Sequence, residues 1–172
     1  MPTLLVDKHL RPIRQQIYNL ISENSSIIDI GCGHGTQLIM LSPKIKYGLG
    51  IDKLTTKINY ANSKKLSNLE FQVLDINNLN QLNQTFNYAI LSMVFHSLNK
   101  KTQNYLMKNI PADNIIIIDY IKSPSKIRNF LAHFEELFSR HYKNFRNYMK
   151  EKNKFGEEIK TFDSGIKIWK SF

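Results

Sequence analysis

The chain contains the segment Ile27-Ile28-Asp29-Ile30-Gly31-Cys32-Gly33-His34-Gly35, in which a short apolar run leads directly into three closely spaced glycines. Apolar residues follow at helical spacing at positions 38, 39 and 41. This order of strand, glycine turn and helix is typical of the first unit of an α/β sheet. Ligands of such sheets lie beyond the carboxyl ends of the strands, where glycines let them approach backbone amides. The segment therefore predicts alternating strands and helices with a ligand site at the glycine turn.

Strands and helices alternate on both sides of this segment. An amphipathic helix is predicted at 8–22, because its apolar residues recur three and four positions apart. Beyond the glycines, the pattern predicts strands at 47–51, 69–74, 86–93 and 114–119, helices at 55–66 and 98–109, and an Asn-rich loop at 77–85. Isoleucines occupy 115 to 118, as expected in the middle of a parallel sheet that is covered on both faces. These elements predict an α/β fold with a doubly wound, mostly parallel sheet and helices on both faces.

The C-terminal part is predicted to close the sheet. After Pro124, apolar and aromatic residues recur at helical spacing as far as Met149. This spacing predicts either one long helix or two helices separated by a break near Ser139. The segments 158–162 and 166–172, joined by Asp163-Ser164-Gly165, predict a C-terminal antiparallel hairpin.

Length and composition narrow the classes of protein. With 172 residues, 42% of them apolar and 22% charged, the chain is expected to form one folded domain over residues 1–172. No apolar run approaches the roughly 18 residues of a membrane span, and the N-terminus lacks the pattern of a signal peptide, so a cytoplasmic location is expected. Cys32 is the single cysteine, and no Cys/His cluster has zinc spacing, so neither a disulfide nor a metal site is predicted.

The net charge of +10 raises the question of a nucleic-acid partner. The excess of basic residues is spread over the chain, with +4 in residues 1–100 and +6 in residues 101–172, and it forms no basic tail. Charge alone therefore gives only weak support to nucleic-acid binding.

The spacing of the glycines bears on the type of ligand. They read GxGxG, whereas the dinucleotide fingerprint GxGxxG would place its third glycine at Thr36. That third glycine seats the helix beneath a pyrophosphate, so a nicotinamide oxidoreductase is disfavoured. No GxxxxGK[ST] motif is present, so a P-loop nucleotide hydrolase is not supported.

Several motifs in order resemble the class I S-adenosylmethionine-dependent methyltransferases. They are the glycine segment 29–35, Asp52 and Asp75 at the ends of the second and third strands, the segment 91–98 after the fourth strand, and the closing strand pair. The resemblance covers most of the chain. It implies a Rossmann-like fold and S-adenosylmethionine as the cofactor, with no metal.

The resemblance also implies roles for individual residues at the cofactor. Asp29 would order the loop or contact the amino group, and Asp52 would accept hydrogen bonds from the ribose hydroxyls. Asp75 would accept from the adenine amino group, with the amide of Ile76 near a ring nitrogen. The full set of implied cofactor-binding residues is Asp29, Gly31, Cys32, Gly33, Gly35, Asp52, Lys53, Asp75, Ile76, Leu91 and Ser92.

Structural alternatives exist for these residues. An aspartate at a strand end often only caps the following helix, which applies to Asp52 and to Asp75. Cys32 is interpreted as a small loop residue rather than a nucleophile, because nothing near it in sequence would lower its pKa. His34 is interpreted as a spacer at a solvent-facing loop position.

The chemistry of methyl transfer needs few catalytic groups. The reaction is an in-line displacement from an activated sulfonium, so orientation and exclusion of water can supply much of the rate, and a base is needed only if the acceptor is protonated. His96 is the candidate base, because it lies just after the fourth strand and histidine titrates near neutral pH. Its alternative role is to pack or hydrogen-bond beneath a substrate lid. In many small-metabolite enzymes of this family a similar segment has one or two histidines before the leucine, and here Ser97 takes the second place, so a role that needs a histidine pair is not supported.

The acceptor would lie under a helical lid. Residues 1–25 are expected to form its N-terminal part and residues 121–155 a helical segment on the substrate side, with Tyr120 and His141 as candidate substrate-binding residues. The segment 140–148 mixes basic and aromatic residues. It is either a site for an anionic or aromatic substrate or a helix with an aromatic core face and a solvated basic face, and the helical spacing favours the second.

A small-molecule acceptor is the leading hypothesis. Nucleic-acid enzymes of this fold that methylate amino groups carry an Asn or Asp, two prolines and an aromatic residue after the fourth strand, and this chain has Leu91-Ser92-Met93-Val94 there. An RNA methyltransferase and a non-catalytic S-adenosylmethionine-binding protein remain as alternatives. The oligomeric state and the acceptor atom are left open.

Overall fold

Seven strands form one mixed sheet in the computed structural model, which describes residues 3–151, 155–159, 161 and 165–171, with side chains from residue 10 onward. In chain order the strands are β1 (Ser26–Ile30), β2 (Tyr47–Asp52), β3 (Leu69–Val73), β4 (Phe86–Ser92), β5 (Ala112–Tyr120), β6 (Glu157–Ile159) and β7 (Ile166–Ser171). The helices are α1 (Thr3–Leu20), α2 (Thr36–Leu41), α3 (Thr55–Lys64), α4 (Lys100–Asn109), α5 (Lys126–Glu136) and α6 (Tyr142–Tyr148). Two short 3₁₀ helices cover Ile76–Gln81 and Phe95–Ser97.

The sheet has the order β3-β2-β1-β4-β5-β7-β6. The first five strands are parallel, and β7 runs antiparallel to both β5 and β6. The direction of winding changes between β1 and β4, which creates a crevice at their carboxyl ends. The predicted doubly wound, Rossmann-like sheet with an antiparallel C-terminal addition is confirmed.

Burial explains why the central strands are so apolar. Ile27, Ile28 and Ile30 of β1 are fully buried, as are Ile116 and Ile118 of β5. A parallel strand is covered by helices on both faces, so it needs apolar side chains on both sides rather than on alternate positions.

Helix α1 packs an apolar stripe into the core. Leu10, Ile13 and Ile17 are buried, and the helix begins at Thr3, five residues before the predicted start. No described side chain of α1 lines the cavity that lies at the carboxyl ends of the parallel strands. The lid role predicted for residues 1–25 therefore stays a prediction.

Several predicted boundaries differ from the structure. The loop predicted at 77–85 contains the 3₁₀ helix Ile76–Gln81, because the Asp75 carboxylate accepts the Asn77 amide and starts a turn there. The helix predicted from 98 begins at Lys100, since Asn99 caps it by accepting from the Thr102 amide at 3.0 Å. The long helix after Pro124 is divided into α5 and α6 by turns at 137–141, at the break expected near Ser139.

The first strand of the C-terminal hairpin begins one residue earlier than predicted. β6 covers Glu157–Ile159 where 158–162 was expected, and positions 160 and 162 of that prediction lie outside the described residues. Gly165 is described as a turn residue, and the Asp163-Ser164 part of the predicted turn lies outside the described residues.

Candidate active site

A cavity of about 520 Å³ lies at the carboxyl ends of the parallel strands. Its walls come from the ends of β2 and β3, the segment after β4, the start of α4, and the α5–α6 region. The predicted site residues that line it are Gly31, Asp52, Lys53, Asp75, Ile76, His96 and His141. Residues from both the cofactor set and the substrate set therefore share one cavity.

The other predicted site residues do not line this cavity. They are Asp29, Cys32, Gly33, Gly35, Leu91, Ser92 and Tyr120. Leu91 is fully buried in β4, and Ser92 ends that strand, paired with Ile118.

The glycine loop has one open side and one packed side. The backbone φ angles are +78° at Gly31, +57° at Gly33 and +76° at Gly35. A Cβ added at Gly33 would meet no atom within 4 Å, so there is free space beside that backbone. A Cβ at Gly35 would lie 2.6 Å from the Phe71 ring. Gly35 therefore permits close packing of α2 against β3, whereas Gly33 leaves room for a ligand.

Asp52 connects the end of β2 to the glycine loop. Its Oδ2 accepts a hydrogen bond from the Gly33 amide at 3.1 Å, and its Oδ1 accepts from the Leu54 amide at 2.9 Å. Lys57 Nζ lies 3.8 Å from Oδ2. The side chain does not cap α3, whose N-cap residue is Leu54. A carboxylate offers about four acceptor positions, so Asp52 retains capacity for further donors from the cavity.

Asp75 does act as a helix cap. Its Oδ1 accepts from both the backbone amide and the side-chain amide of Asn77, at 2.8 and 2.7 Å. No hydrogen bond to its second oxygen is found in the described part of the chain. Asp75 thus caps the following 3₁₀ helix through one carboxylate oxygen, and its other oxygen is available for a ligand.

Asp29 is buried in β1, and Cys32 is a partly buried residue of the loop itself. Burial raises the pKa of Asp29 to about 7; Arg14 opposes this rise and the carboxylate of Asp52 adds to it. Burial, followed by the charges of Asp29 and Asp52, also raises the pKa of the Cys32 thiol. Cys32 therefore stays protonated near neutral pH, which fits its interpretation as a loop residue rather than a nucleophile. His34 has its ring edge against Tyr60, with ring centroids 5.0 Å apart.

His96 is held between two carboxylates. Its Nδ1 lies 2.6 Å from Asp119 Oδ1, and its Nε2 lies 3.4 Å from Glu136 Oε1. Its backbone N–H donates to Asp119 Oδ2 at 3.0 Å. The residue is only 4% exposed. Asp119 fixes both the backbone and the ring of His96, and Glu136 connects that ring to the C-terminal end of α5.

This setting determines the charge of His96. Burial lowers the pKa of the imidazole, but the charges and hydrogen bonds of Asp119 and then Glu136 outweigh burial and raise it to about 10. The pKa of Glu136 is lowered, because the interaction with His96 outweighs its own burial. In this arrangement His96 is an imidazolium near neutral pH, and it has no free nitrogen to accept a proton.

Three aromatic rings pack against the His96 ring. The centroids of the Tyr120, Phe145 and Tyr148 rings lie 4.9, 5.8 and 6.4 Å from that of His96, all edge to face. The Tyr120 hydroxyl donates to Glu135 Oε2 at 3.1 Å, away from the cavity. Tyr120, predicted to bind substrate, thus packs beneath His96, while His141 does line the cavity.

The cavity also has lining residues that the sequence analysis did not single out as site residues: Leu54, Lys57, Leu74, Asn77, Met93, Val94, Ser97, Leu98, Asn99, Thr102, Glu136 and Asn144. Asn144 Nδ2 donates to the Ser97 carbonyl at 2.8 Å and so connects α6 to the turn that carries His96. The lining residues that adjoin Asp52, Asp75 or His96 in sequence could have been predicted, because they follow the same strand ends. Glu136 and Asn144 could not have been, because only the packing of α5 and α6 brings them to the wall.

Met93 has an unusual backbone at the cavity wall. Its φ angle is +58°, in the left-handed region that non-glycine residues rarely adopt. The Met93 amide donates to the Ile118 carbonyl at 2.8 Å, which helps to hold this conformation. Such residues cluster at functional sites, where the surrounding structure compensates for the strain.

Among the described residues, no group of three or more His, Cys, Asp or Glu side chains is arranged to hold a metal ion. In the same part of the chain, no helix is long and apolar enough to cross a bilayer.

Comparison with curated proteins identifies methyltransferase relatives. A family model described as a methyltransferase domain matches residues 21–170. The chain is 27% identical over 120 residues to a 2-heptyl-1-hydroxyquinolin-4(1H)-one methyltransferase of Mycobacteroides abscessus, which covers 63% of this chain and 53% of that protein. It is 42% identical over 62 residues to protein 235L of Invertebrate iridescent virus 6, which covers 35% of this chain and 23% of that one. The chain spans about half of the first relative and about a quarter of the second.

Comparison with solved structures agrees on the fold. The methyltransferase domain of bacterial CtHen1-C has a TM-score of 0.62 at 16% identity, covering 96% of this chain and 97% of that one. A complex of DhpI with S-adenosylhomocysteine has a TM-score of 0.61 at 12% identity, covering 69% of this chain and 60% of that one.

The family model extends from β1 through β7, so it includes the glycine loop, both strand-end acids and the His96 turn. The fold resemblance implied by the sequence motifs is therefore confirmed along nearly the whole chain. This chain belongs to the methyltransferase-domain family, with the class I fold of S-adenosylmethionine-dependent methyltransferases.

Proposed function

We propose that this chain is an S-adenosylmethionine-dependent methyltransferase that acts on a small-molecule acceptor bound in the cavity beside His96. The observation that carries the proposal is that Asp52 and Asp75, at adjacent strand ends, face the same cavity as His96. The free space beside Gly33 adjoins the Asp52 carboxylate, since the Gly33 amide donates to it. A cofactor with an adenine at one end, a ribose diol in the middle and a methionyl sulfonium at the other end suits this arrangement.

The chain offers partners for each part of the cofactor. Asp52 would accept from the ribose hydroxyls through the positions that Gly33 and Leu54 leave open. Asp75 would accept from the adenine amino group through its second oxygen, with Ile76 beside the ring. The glycine loop would lie against the methionyl portion. S-adenosylmethionine, when bound there, would supply an activated methyl group, which would pass to the acceptor's lone pair as its carbon–sulfur bond broke and left S-adenosylhomocysteine.

The chain's own contribution is to bind, orient and exclude water. His96, Glu136, His141 and Asn144 line the same cavity as the strand-end acids. An acceptor held among these side chains would be positioned for in-line attack, which can supply several kcal/mol of the barrier without a covalent intermediate.

The charge of His96 limits the kind of acceptor. Its proton is held by Asp119 and Glu136, so the ring would become a base only after Glu136 moved away from Nε2. Because Asp119 and Glu136 occupy both nitrogens of His96, Lys53, which also lines the cavity, is the cation that would instead stabilise an acceptor that is already ionised. The relative in M. abscessus is named for a hydroxylated quinolone. An acidic hydroxyl on a small, partly apolar molecule is therefore the acceptor class we favour.

A labelling experiment tests this function. Radiolabelled S-adenosylmethionine is incubated with the protein and a cell extract, which is then fractionated into small molecules, lipids, nucleic acids and proteins. We expect label in the small-molecule or lipid fraction, none with heat-killed protein, and less with the Asp52→Ala variant. Label that is lost on nuclease treatment would favour the RNA alternative. Cofactor binding without transfer to any fraction would favour the non-catalytic alternative.

A further inference from the structure

Helix α5 turns its apolar face outward. Ile127 is 72% exposed, Phe130 67% and Phe138, in the turn after the helix, 84%. We call the outward set of large apolar side chains the α5 patch; its members are Ile127, Phe130, Leu131, Phe134, Leu137 and Phe138. The aromatic members form a continuous strip, since the Phe134 centroid lies 6.3 Å from that of Phe130 and 6.4 Å from that of Phe138.

The inward face of the same helix is polar. Asn129 exchanges two hydrogen bonds with the Ser123 backbone, at 2.7 and 2.8 Å. His133 lies 3.3 Å from the Tyr142 hydroxyl, and Glu136 contacts His96. No residue of α5 is buried. A helix on the surface of a globular protein normally does the reverse, with its apolar stripe toward the core. The α5 patch is therefore a surface that requires a partner.

The charge around the patch indicates the chemistry of that partner. Residues 121–150 contain seven basic and two acidic residues, a net charge of +5. Both acids are engaged with the protein, Glu135 with the Tyr120 hydroxyl and Glu136 with His96. Lys122, Lys126 and Arg140 are exposed near the two ends of the patch. The surface thus combines apolar aromatic side chains with positive charge.

We propose that the α5 patch binds the surface of an anionic lipid membrane, with its aromatic strip in the interface and its basic flank at the headgroups. Interfacial helices have this pattern of bulky apolar residues on one side and Lys or Arg beside them. Anionic headgroups attract such basic segments. A second copy of the chain fits less well, because a two-fold interface places the same patch on both partners and brings the two +5 segments together.

The position of the patch relates it to the cavity. Glu136 lines the cavity, and the next two residues, Leu137 and Phe138, belong to the patch. A membrane bound there would place the cavity close to the lipid interface. This consequence rests on the proposed function: an apolar methyl acceptor dissolved in the membrane would have a short path to the site.

Vesicle sedimentation tests the proposal without any methyl transfer. The full chain is mixed with vesicles of equal phosphatidylglycerol and phosphatidylcholine, or of phosphatidylcholine alone, and the bound fraction is measured at rising salt. We expect binding to the anionic vesicles that weakens with salt. The double variant Phe130→Ser/Phe138→Ser should bind the anionic vesicles at least about tenfold more weakly than the unmodified chain, because two large apolar side chains no longer enter the membrane interface. Leu66→Ser, at an exposed leucine outside the patch, is the control and should bind like the unmodified chain.

Other outcomes would overturn the proposal. These are no binding of the unmodified chain to anionic vesicles, equal binding by the double variant, or a dimer in sedimentation velocity that the double variant abolishes. Circular dichroism checks that each variant is folded, and both substituted phenylalanines are exposed, so folding should be retained. Calorimetry with S-adenosylhomocysteine tests the proposed function separately, because its result does not depend on lipid.

Discussion

The Asp119 carboxylate holds His96 at two points: Oδ1 lies 2.6 Å from the ring Nδ1, and Oδ2 accepts the backbone N–H at 3.0 Å. The pair joins the end of β5 to the turn after β4, and both side chains are buried. Because Glu136 reaches the other ring nitrogen, the same imidazole also connects the sheet to α5. The ionised His96 ring therefore supports the cavity wall. Its charge depends on the position of α5, because Glu136 of that helix helps to raise its pKa.

Stability should fall as the pH rises above neutral. The pKa of His96 is raised to about 10 in the folded chain, above its ordinary value of 6.5. Its contribution to the free energy of unfolding is thus fully present below about pH 6.5 and is lost as the pH rises through about 10. Urea unfolding at pH 7, 8, 9 and 10 measures this loss.

Asp119→Asn should weaken both the stability and its pH dependence. Breaking a buried ion pair by removing one partner costs about 3–5 kcal/mol, so we expect a loss of that order at pH 7 and a flatter profile between pH 7 and 10. Asp113→Asn, at an exposed position on the same strand, is the control. Equal profiles for Asp119→Asn and the unmodified chain would contradict the assignment of the raised pKa to Asp119.

Glu136→Gln tests whether His96 takes part in proton transfer. Removal of this carboxylate should lower the pKa of His96, because the Glu136 charge helps to raise it. If His96 acts as a base, the rising limb of the pH–rate profile should move to lower pH in this variant. Glu135→Gln, which alters the neighbouring carboxylate that contacts Tyr120, is the control. An unmoved profile would leave His96 with a positioning role only.

Asp29→Asn should stabilise the chain at alkaline pH relative to acid pH. Burial raises the pKa of Asp29 to about 7 in the folded chain, above its ordinary value of 3.8. The contribution of this carboxyl group to the free energy of unfolding is therefore fully present below about pH 3.8 and is lost as the pH rises through about 7. An asparagine has no charge to desolvate, and we expect a gain of about 1–3 kcal/mol at pH 8 relative to the change at pH 5. Chemical denaturation at the two pH values measures it, and a pH-independent effect would argue against the raised pKa.

Asp52→Ala should weaken cofactor binding. The carboxylate would lose charge-assisted hydrogen bonds to the ribose, worth about 1.5–3 kcal/mol. Calorimetric titration with S-adenosylmethionine measures the change, with Asp113→Ala as the control. Unchanged affinity in Asp52→Ala would refute the ribose assignment.

Two glycine variants should separate packing from ligand binding. Gly35→Ala places a methyl group 2.6 Å from the Phe71 ring at φ +76°, so it should destabilise the fold by more than the roughly 1–2 kcal/mol expected for the left-handed backbone alone. Gly33→Ala has the same backbone cost but no clash. We expect it to remain folded and to bind S-adenosylhomocysteine less well, because its methyl group enters the free space. Thermal unfolding and calorimetry of both variants measure the difference.

Much of the fold was accessible from the sequence, because local patterns encode it. Continuous apolar runs such as 115–118 predict buried parallel strands, and the three glycines mark the first turn, so the sheet class and the positions of Asp52 and Asp75 at strand ends follow without coordinates. Element boundaries were less accessible. They depend on single capping contacts, such as those of Asn99 and Asp75, which compete with alternatives of similar energy.

The amino-acid order alone thus determined the sheet, the glycine turn and the residues that reach its carboxyl edge. Tertiary structure alone decided the state of His96 and the orientation of α5. The pKa of a buried group depends on which charges lie within a few ångströms, and Asp119 and Glu136 are 23 and 40 positions away in sequence. Likewise, the helical spacing of residues 126–138 shows an apolar face but not its direction. That face points outward because Asn129, His133 and Glu136 fix the opposite side to the protein.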